Sequence, residues 1–290
     1  MRFSGSYVAL VTPFHADGSV NFEKLRELVE WHVQQGTDGI VALGTTGESS
    51  TMSHEEDDDV ARAVIETVNG RIPVICGAGS NSTQTQLEKS RRYHDMGADG
   101  LLLITPYYNK ANDEGMYRHF ATVADTVDTP VILYNVPERT GCSISPACCA
   151  RLAAHPNIAG IKEASGSIGY TAQIAKLVND DFCMFSGNDD MIVPIMSLGG
   201  CGVISVWANI CPKEVHELTN AFAAGDIAKA REIQLKYLDL IGALFCEVNP
   251  IPIKEAMNQL GMEVGGYRLP LCEISAVGRE RVRRALEVLG

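Results

Sequence analysis

Eight short apolar runs, each followed by an amphipathic stretch, constrain the fold of this chain more than any single residue does. The runs are Tyr7–Thr12, Gly39–Leu43, Val74–Gly77, Leu101–Thr105, Val131–Asn135, Ala159–Lys162, Cys183–Ser186 and Gly202–Val206. Many are continuously apolar, as strands of a parallel sheet buried on both faces should be. The stretches between them carry helix start signals. Asn21 is placed to cap the first, with Val20 and Leu25 spaced as a hydrophobic staple and Phe22, Leu25, Leu28, Val29 and Val33 as its apolar face. Ser53 and Glu56 have capping-box spacing, and Ser82 can cap a third helix. Gly36, Gly70, Gly97 and Gly225 stand where helices end. Strands alternating with helices in this order predict an α/β chain, a (β/α)8 TIM barrel. The barrel is expected over residues 1–224, with a C-terminal helical extension over 225–290. The helices expected in that extension are Asp226–Phe245, Ile253–Leu260 and Ala276–Leu289, punctuated by Pro250, Pro252 and Pro270.

Composition narrows the classes of function. A net charge of −12 repels phosphate backbones, so no nucleic-acid partner is expected. No apolar run approaches the ~20 residues that span a bilayer, so no membrane partner is expected. Met1-Arg2-Phe3-Ser4-Gly5-Ser6 carries no long apolar stretch of the kind a secretion leader has. Nine cysteines without a C-x-x-C pair point to reduced thiols and a cytoplasmic setting. Cys148 and Cys149 are neighbours on a helical stretch and point apart, which makes them a poor metal site. No metal is expected.

The active site of such a barrel lies at the C-terminal ends of its strands. Lys162 ends the sixth. A free lysine has a pKa of ~10.4, so roughly one amine in 2,500 is neutral at pH 7. Burial disfavours the cation, and a pKa of ~7–8 would raise the nucleophilic fraction by two to three orders of magnitude. A lysine that forms a Schiff base needs this; the plain alternative is a lysine that snorkels to water. After the second strand comes Gly44-Thr45-Thr46-Gly47-Glu48-Ser49, whose amides and hydroxyls suit a carboxylate. After the fourth comes Pro106-Tyr107-Tyr108-Asn109, and after the fifth Tyr134-Asn135-Val136-Pro137-Glu138-Arg139-Thr140-Gly141. The phenol of Tyr134 offers a proton shuttle and the guanidinium of Arg139 a carboxylate fork. Gly187 follows the seventh strand and Ile204 lies in the eighth. An amine, phenols, hydroxyls and an arginine on one rim suit covalent carbonyl chemistry on a small carboxylate.

Three other signals compete. Gly77-Ala78-Gly79-Ser80-Asn81-Ser82 follows a strand and opens a helix, like a dinucleotide fingerprint. Its third glycine is replaced by serine, and Asp99 falls before the next strand, so the spacing argues against it. The run Glu55-Glu56-Asp57-Asp58-Asp59 reads as a solvated helix start that complements the helix dipole. Arg279, Arg281, Arg283 and Arg284 read as the wet side of the last helix.

Taken in order, Gly44-Thr45-Thr46-Gly47-Glu48, Pro106-Tyr107-Tyr108-Asn109, the Tyr134–Gly141 stretch, Gly160-Ile161-Lys162-Glu163 and Asn249-Pro250-Ile251-Pro252-Ile253-Lys254 resemble the dihydrodipicolinate synthase family. That family stands within a wider group that includes N-acetylneuraminate lyase and sugar-acid aldolases. The resemblance implies a class I Schiff-base enzyme that condenses pyruvate with L-aspartate 4-semialdehyde, with no organic cofactor. Lys162 would carry the Schiff base, with Tyr134, Thr46 and Tyr108 as a proton relay. Thr45, Thr46 and Ile204 would hold the pyruvate carboxylate, Arg139 the semialdehyde carboxylate, and Gly187 would admit substrate to the backbone. It also implies a homotetramer, a dimer of dimers in which Tyr108 reaches a neighbouring copy. A lysine effector site is implied at Ser49, His54, Asn81 and Tyr107. There Asp57 and Thr85 depart from the sensitive pattern, which suggests weak inhibition or none. The alternatives are a pyruvate aldolase for another aldehyde and a non-catalytic keto-acid-binding relative.

Overall fold

The computed structural model describes residues 3–290; Met1 and Arg2, the first two residues of the stretch weighed as a possible leader, lie outside the described residues. Eight parallel strands follow one another in sequence order as a closed barrel. They are β1 Gly5–Ala9, β2 Gly39–Ala42, β3 Val74–Gly77, β4 Gly100–Ile104, β5 Val131–Asn135, β6 Ile158–Glu163, β7 Cys183–Ser186 and β8 Gly202–Ser205. The (β/α)8 expectation therefore holds. Between and after them run α1 Phe22–Gln34, α2 His54–Val68, α3 Thr83–Asp95, α4 Asp113–Ala124, α5 Pro137–Thr140, α6 Pro146–Ala153, α7 Ile168–Ala175, α8 Ile192–Ser197 and α9 Pro212–Ala223. The C-terminal helices are α10 Ile227–Lys236, α11 Leu238–Ala243, α12 Ile251–Gln259 and α13 Ala276–Ala285. Among the described residues no helix is long and apolar enough to cross a membrane.

The chain divides into two compact units. One holds the described part of Met1–Gly5 with Pro73–Ile204, the other Ser6–Ile72 with Ser205–Gly290. In the first unit, β3 to β7 run in parallel register over a core of Leu101, Leu103, Leu133, Ile161, Met184 and Phe185. Their apolar side chains are buried on both faces of the sheet, which is why these strands read as unbroken apolar runs. Gly79 permits a close approach: a Cβ there would lie 2.4 Å from the Ile104 backbone nitrogen. This glycine of the rejected dinucleotide pattern thus has a packing role.

In the second unit, α1 and α2 pack together through Leu25, Leu28, Val29, Val60 and Val64, all buried. Asn21 and Ser53 cap these helices as their spacing foretold, and Ser53 with Glu56 completes a reciprocal capping box. His32, not Val33, is the fully buried residue of that turn of α1. Its Nδ1 lies 3.0 Å from the Thr37 hydroxyl, and burial pushes its pKa down to about 3, so it is neutral at pH 7.

Most strand and helix ends differ from the sequence reading by a residue or more, and three of these differences have a clear physical reason. β1 stops at Ala9 because Val11 N–H donates to the Asn209 side chain instead of a strand, and Thr12 Oγ1 to the Gly47 carbonyl. β6 continues through Glu163, whose carbonyl accepts from Gly187 N–H at 2.7 Å. The long helix expected after residue 226 breaks into α10 and α11 at Tyr237, whose ring packs 5.0 Å from Trp207.

Candidate active site

Parallel register sets the central pair in the first unit. Tyr134 and Lys162 are direct partners across β5 and β6, and Lys162 partners Phe185 across β6 and β7. Both Lys162 and Tyr134 are buried. The Lys162 ammonium lies 4.5 Å from the centre of the Tyr134 ring. Burial is the main force on its pKa and lowers it to about 8; Asp189 opposes that, and the Arg139 charge adds to it. Near pH 7 roughly one amine in ten is then neutral, hundreds of times more than for a free lysine. Gly187 lies beside it: a Cβ there would meet the Ala164 Cβ at 2.5 Å and Lys162 Cε at 3.1 Å. The glycine leaves room around the Lys162 stem.

Behind this pair the next residues on the same strands, Asn135 and Glu163, are also partners in register. Asn135 Nδ2 donates to Glu163 Oε2 at 2.9 Å. Glu163 Oε1 accepts from Ser165 N–H at 2.7 Å and from the Ser165 hydroxyl. Burial pushes the Glu163 carboxyl up, and these donors pull it back.

Arg139 is exposed on α5, a single turn that opens at Pro137 and closes at Gly141, which has a φ of 70°. Thr105 Oγ1 donates to Thr140 Oγ1 at 3.0 Å beneath it. Tyr107 is half-exposed, and Tyr108 is 92% exposed with a φ of 70°. A non-glycine residue held there is uncommon. Ile204 is buried in β8. Asn81 Nδ2 donates to the Tyr107 carbonyl at 3.3 Å, so two of the expected effector residues touch.

In the second unit, Thr45-Thr46-Gly47 form a single tight turn after β2, ended by Glu48 at a φ of 56°. Asn249 Nδ2 donates to Thr46 Oγ1 at 3.0 Å. Lys254 Nζ donates to Glu48 Oε1 at 2.8 Å and to the Thr12 carbonyl at 3.1 Å, and both charged side chains are fully buried. Phe14 lies beneath two cations, with Lys254 Nζ at 4.4 Å and the Arg268 guanidinium at 4.6 Å from its ring. Arg268 also makes a two-pronged pair with Glu56, at 2.6 and 2.8 Å.

His54 is exposed at the start of α2. Ser49 Oγ donates to Asp57 Oδ2 at 3.1 Å. In the acid run on α2, Glu55 and Asp59 are exposed as expected of a solvated helix start, but two of its members are not. Glu56 is engaged by Arg268, and Asp57 is buried because it turns inward toward Ser49.

Sequence reasoning placed Lys162, Tyr134 and Arg139 but gave no role to Glu163, Asn135, Asn249 or Lys254. The available signal was a charge at the end of an apolar run: Glu163 after Gly160-Ile161-Lys162 and Lys254 after Ile251-Pro252-Ile253. All nine cysteines are free. Among the described residues no group of three or more His, Cys, Asp or Glu side chains is placed to share a metal ion.

A parallel barrel with a desolvated lysine at a strand end defines the class. The profile of the dihydrodipicolinate synthetase family matches residues 2–289, and the chain belongs to that family. It is 52% identical over 289 residues to a 4-hydroxy-tetrahydrodipicolinate synthase of Thermoanaerobacter sp. (strain X514), covering 99% of this chain and 97% of the relative. A pyruvate-complexed, chloride-inhibited dihydrodipicolinate synthase from Acinetobacter baumannii superposes with a TM-score of 0.96 at 45% identity, covering 98% of each chain. A lysine-bound dihydrodipicolinate synthase from Cyanidioschyzon merolae gives a TM-score of 0.96 at 38% identity, covering 99% of this chain and 98% of the other.

Proposed function

We propose that this protein condenses pyruvate with L-aspartate 4-semialdehyde to give 4-hydroxy-tetrahydrodipicolinate, a step toward lysine and diaminopimelate. The observation that carries the proposal is Lys162, buried against the Tyr134 ring with its pKa lowered to about 8. The neutral amine attacks C2 of pyruvate, water leaves, and a protonated Schiff base forms on Lys162. Loss of a proton from C3 gives an enamine, whose C3 bonds to the aldehyde carbon of the semialdehyde. The amine of the adduct then attacks C2, closes the ring and expels the Lys162 amine. Tyr134 moves protons in these steps, through Thr46 to Tyr108. Thr45, Thr46 and Ile204 hold the pyruvate carboxylate, and Gly187 admits the substrate. Arg139 takes the semialdehyde carboxylate as a guanidinium fork. The roles of Thr45, Thr46, Tyr108 and Ile204 rest on the family pattern that these positions match.

The assembly we favour is a homotetramer in a reducing cytoplasm. Its support is Tyr108, an exposed phenol at positive φ that is nearly free of its own chain and suits use by a neighbouring copy. Sedimentation as one tetramer-sized species checks this. At the effector positions Ser49, His54, Asn81 and Tyr107 we favour weak lysine binding. The Asp57 carboxylate is buried and already receives the Ser49 hydroxyl, which leaves it poorly placed to meet an ammonium group. Strong inhibition by submillimolar lysine would refute that.

A coupled assay with both substrates, run beside borohydride trapping of pyruvate, tests the reaction. Turnover with an adduct on Lys162 is expected. Trapping without turnover would favour another aldehyde as substrate, and neither would favour a non-catalytic keto-acid binder.

A further inference from the structure

We propose that Glu163 and Asn135 are positioning residues for this condensation: together they hold the loop that carries Arg139 against the strand end that carries Lys162. The inference rests on the roles given above to Lys162 and Arg139.

Neighbouring residues on a strand point to opposite faces. Lys162 and Tyr134 meet on one face of β6 and β5; Glu163 and Asn135, one step along the same register, meet on the other. The second pair reaches further than its own strands. Asn135 Oδ1 accepts from Ile144 N–H at 3.0 Å and from Ser143 Oγ at 3.1 Å. Ser143 and Ile144 lie in the loop that leaves the Arg139 turn. That loop is pinned again where Thr140 Oγ1 donates to the Cys142 carbonyl and Tyr170 Oη to the Ile144 carbonyl.

The chain of bonds has a fixed polarity. Ile144 N–H can only donate, so Asn135 must turn its carbonyl oxygen toward it. The Asn135 amide then points its N–H2 at residue 163, which must accept there. Ser165 N–H can also only donate, so the other oxygen at residue 163 must accept as well. A carboxylate is the side chain of this length with two accepting oxygens and no donor. Main-chain bonds already join β5 and β6, so a buried acid is an expensive way merely to hold the strands together. Its further effect is to register the Arg139 loop on the Lys162 strand.

Glu163→Gln puts a donor where every arrangement already has one: turning either amide over moves the clash to Ser165 or Ile144. The double change Asn135→Asp with Glu163→Gln restores every bond with the central one reversed. In Glu163→Gln the KM for the semialdehyde should rise roughly tenfold or more, because a mispaired buried polar group costs about that much. Borohydride trapping of pyruvate on Lys162 should stay within about threefold, since its strand ladder is intact. The Ile144 amide should exchange with solvent roughly tenfold faster. The double variant should return all three toward the starting values.

A fall of trapping in step with semialdehyde use would overturn the proposal, as would a folded double variant without recovery. Unchanged Ile144 exchange in Glu163→Gln would overturn the clamp by itself. Absence of any Lys162 adduct in the unsubstituted protein would overturn the active-site reading and the positioning role with it. If Glu163→Gln does not fold, the double variant must still be active, and Ser143→Ala must show a smaller rise in the same KM.

Discussion

Lys162 and Lys254 are both buried and both lie over aromatic rings, Tyr134 in one case and Phe14 in the other, yet their surroundings make them chemical opposites. Lys254 donates to the buried carboxylate of Glu48 and to a carbonyl, so its charge is matched and its protons are committed. Lys162 touches a ring and, among the described residues, forms no ion pair; its nearest named charges act from a distance and partly cancel. Burial alone therefore does not make a lysine nucleophilic. Burial lowers the pKa of both lysines, but at Lys254 the contacting Glu48 carboxylate opposes the loss of water, whereas at Lys162 only Asp189, without an ion pair, does so.

The largest effect should come from removing the unpaired amine. Lys162→Ala should lower turnover by roughly a thousandfold or more, by loss of the covalent route, and abolish the borohydride adduct. In the unsubstituted protein, peptide mass mapping should find that adduct on Lys162 and none on Lys254. A label on Lys254 would break the contrast.

Stability should respond in the opposite sense. Lys254→Met strands the Glu48 carboxylate in the interior and should cost about 3–5 kcal/mol in urea unfolding. Lys162→Met should cost nothing or stabilise. The folded pKa of Lys162 is about 8 against an ordinary 10.5, so between those values the unfolded chain holds more protons and stability rises with pH. Below pH 8 the native state carries the whole penalty, about 3 kcal/mol at ~1.4 per pKa unit. The gain from Lys162→Met should be full there and gone above pH 10.5. Equal losses in the two variants would mean that the two sites do not differ as described.

Arg139→Ala sharpens the contrast by removing a charge that helps to lower the Lys162 pKa. Semialdehyde use should fall roughly ten- to hundredfold, the usual worth of a charge-assisted fork. Pyruvate trapping at pH 9 should barely change, while its pH midpoint moves up. The smallest effect is the pH dependence of trapping in the unsubstituted protein. Its initial rate should rise about tenfold from pH 7 to 9, with a midpoint near 8, as the amine loses its proton. A flat profile would place the pKa of the reacting group elsewhere.

Much of this was legible in the chain. Parallel strands buried on both faces announce themselves as unbroken apolar runs, and all eight were found in order. Lys162 stood out because a lysine at the end of an apolar run is conspicuous, and Tyr134 because its phenol stands at the end of the run before it, although the strands continue one residue further, to Glu163 and Asn135. Strand ends were less legible: Val11 leaves β1 for the side chain of Asn209, a residue 198 positions away that no local pattern announces. The same holds for the partners of the Thr46 turn. Nothing in the local sequence marks Glu48 and Lys254 as partners; the fold makes them a pair. Asp57 was misread because its neighbours on α2 are acidic; only the Ser49 contact shows which of them turns inward.

The Thr46 turn also has a history in time. Its side-chain partners, Asn249 and Lys254, lie 203 and 206 residues further along the chain. At ~5–20 residues per second on a ribosome, roughly 10–40 s separate the synthesis of the turn from that of its supports. For that interval Glu48 has neither cation nor burial, and the hydroxyl of Thr46 has no amide to orient it. The nascent protein thus acquires this arrangement only once residues 249 and 254 have been made.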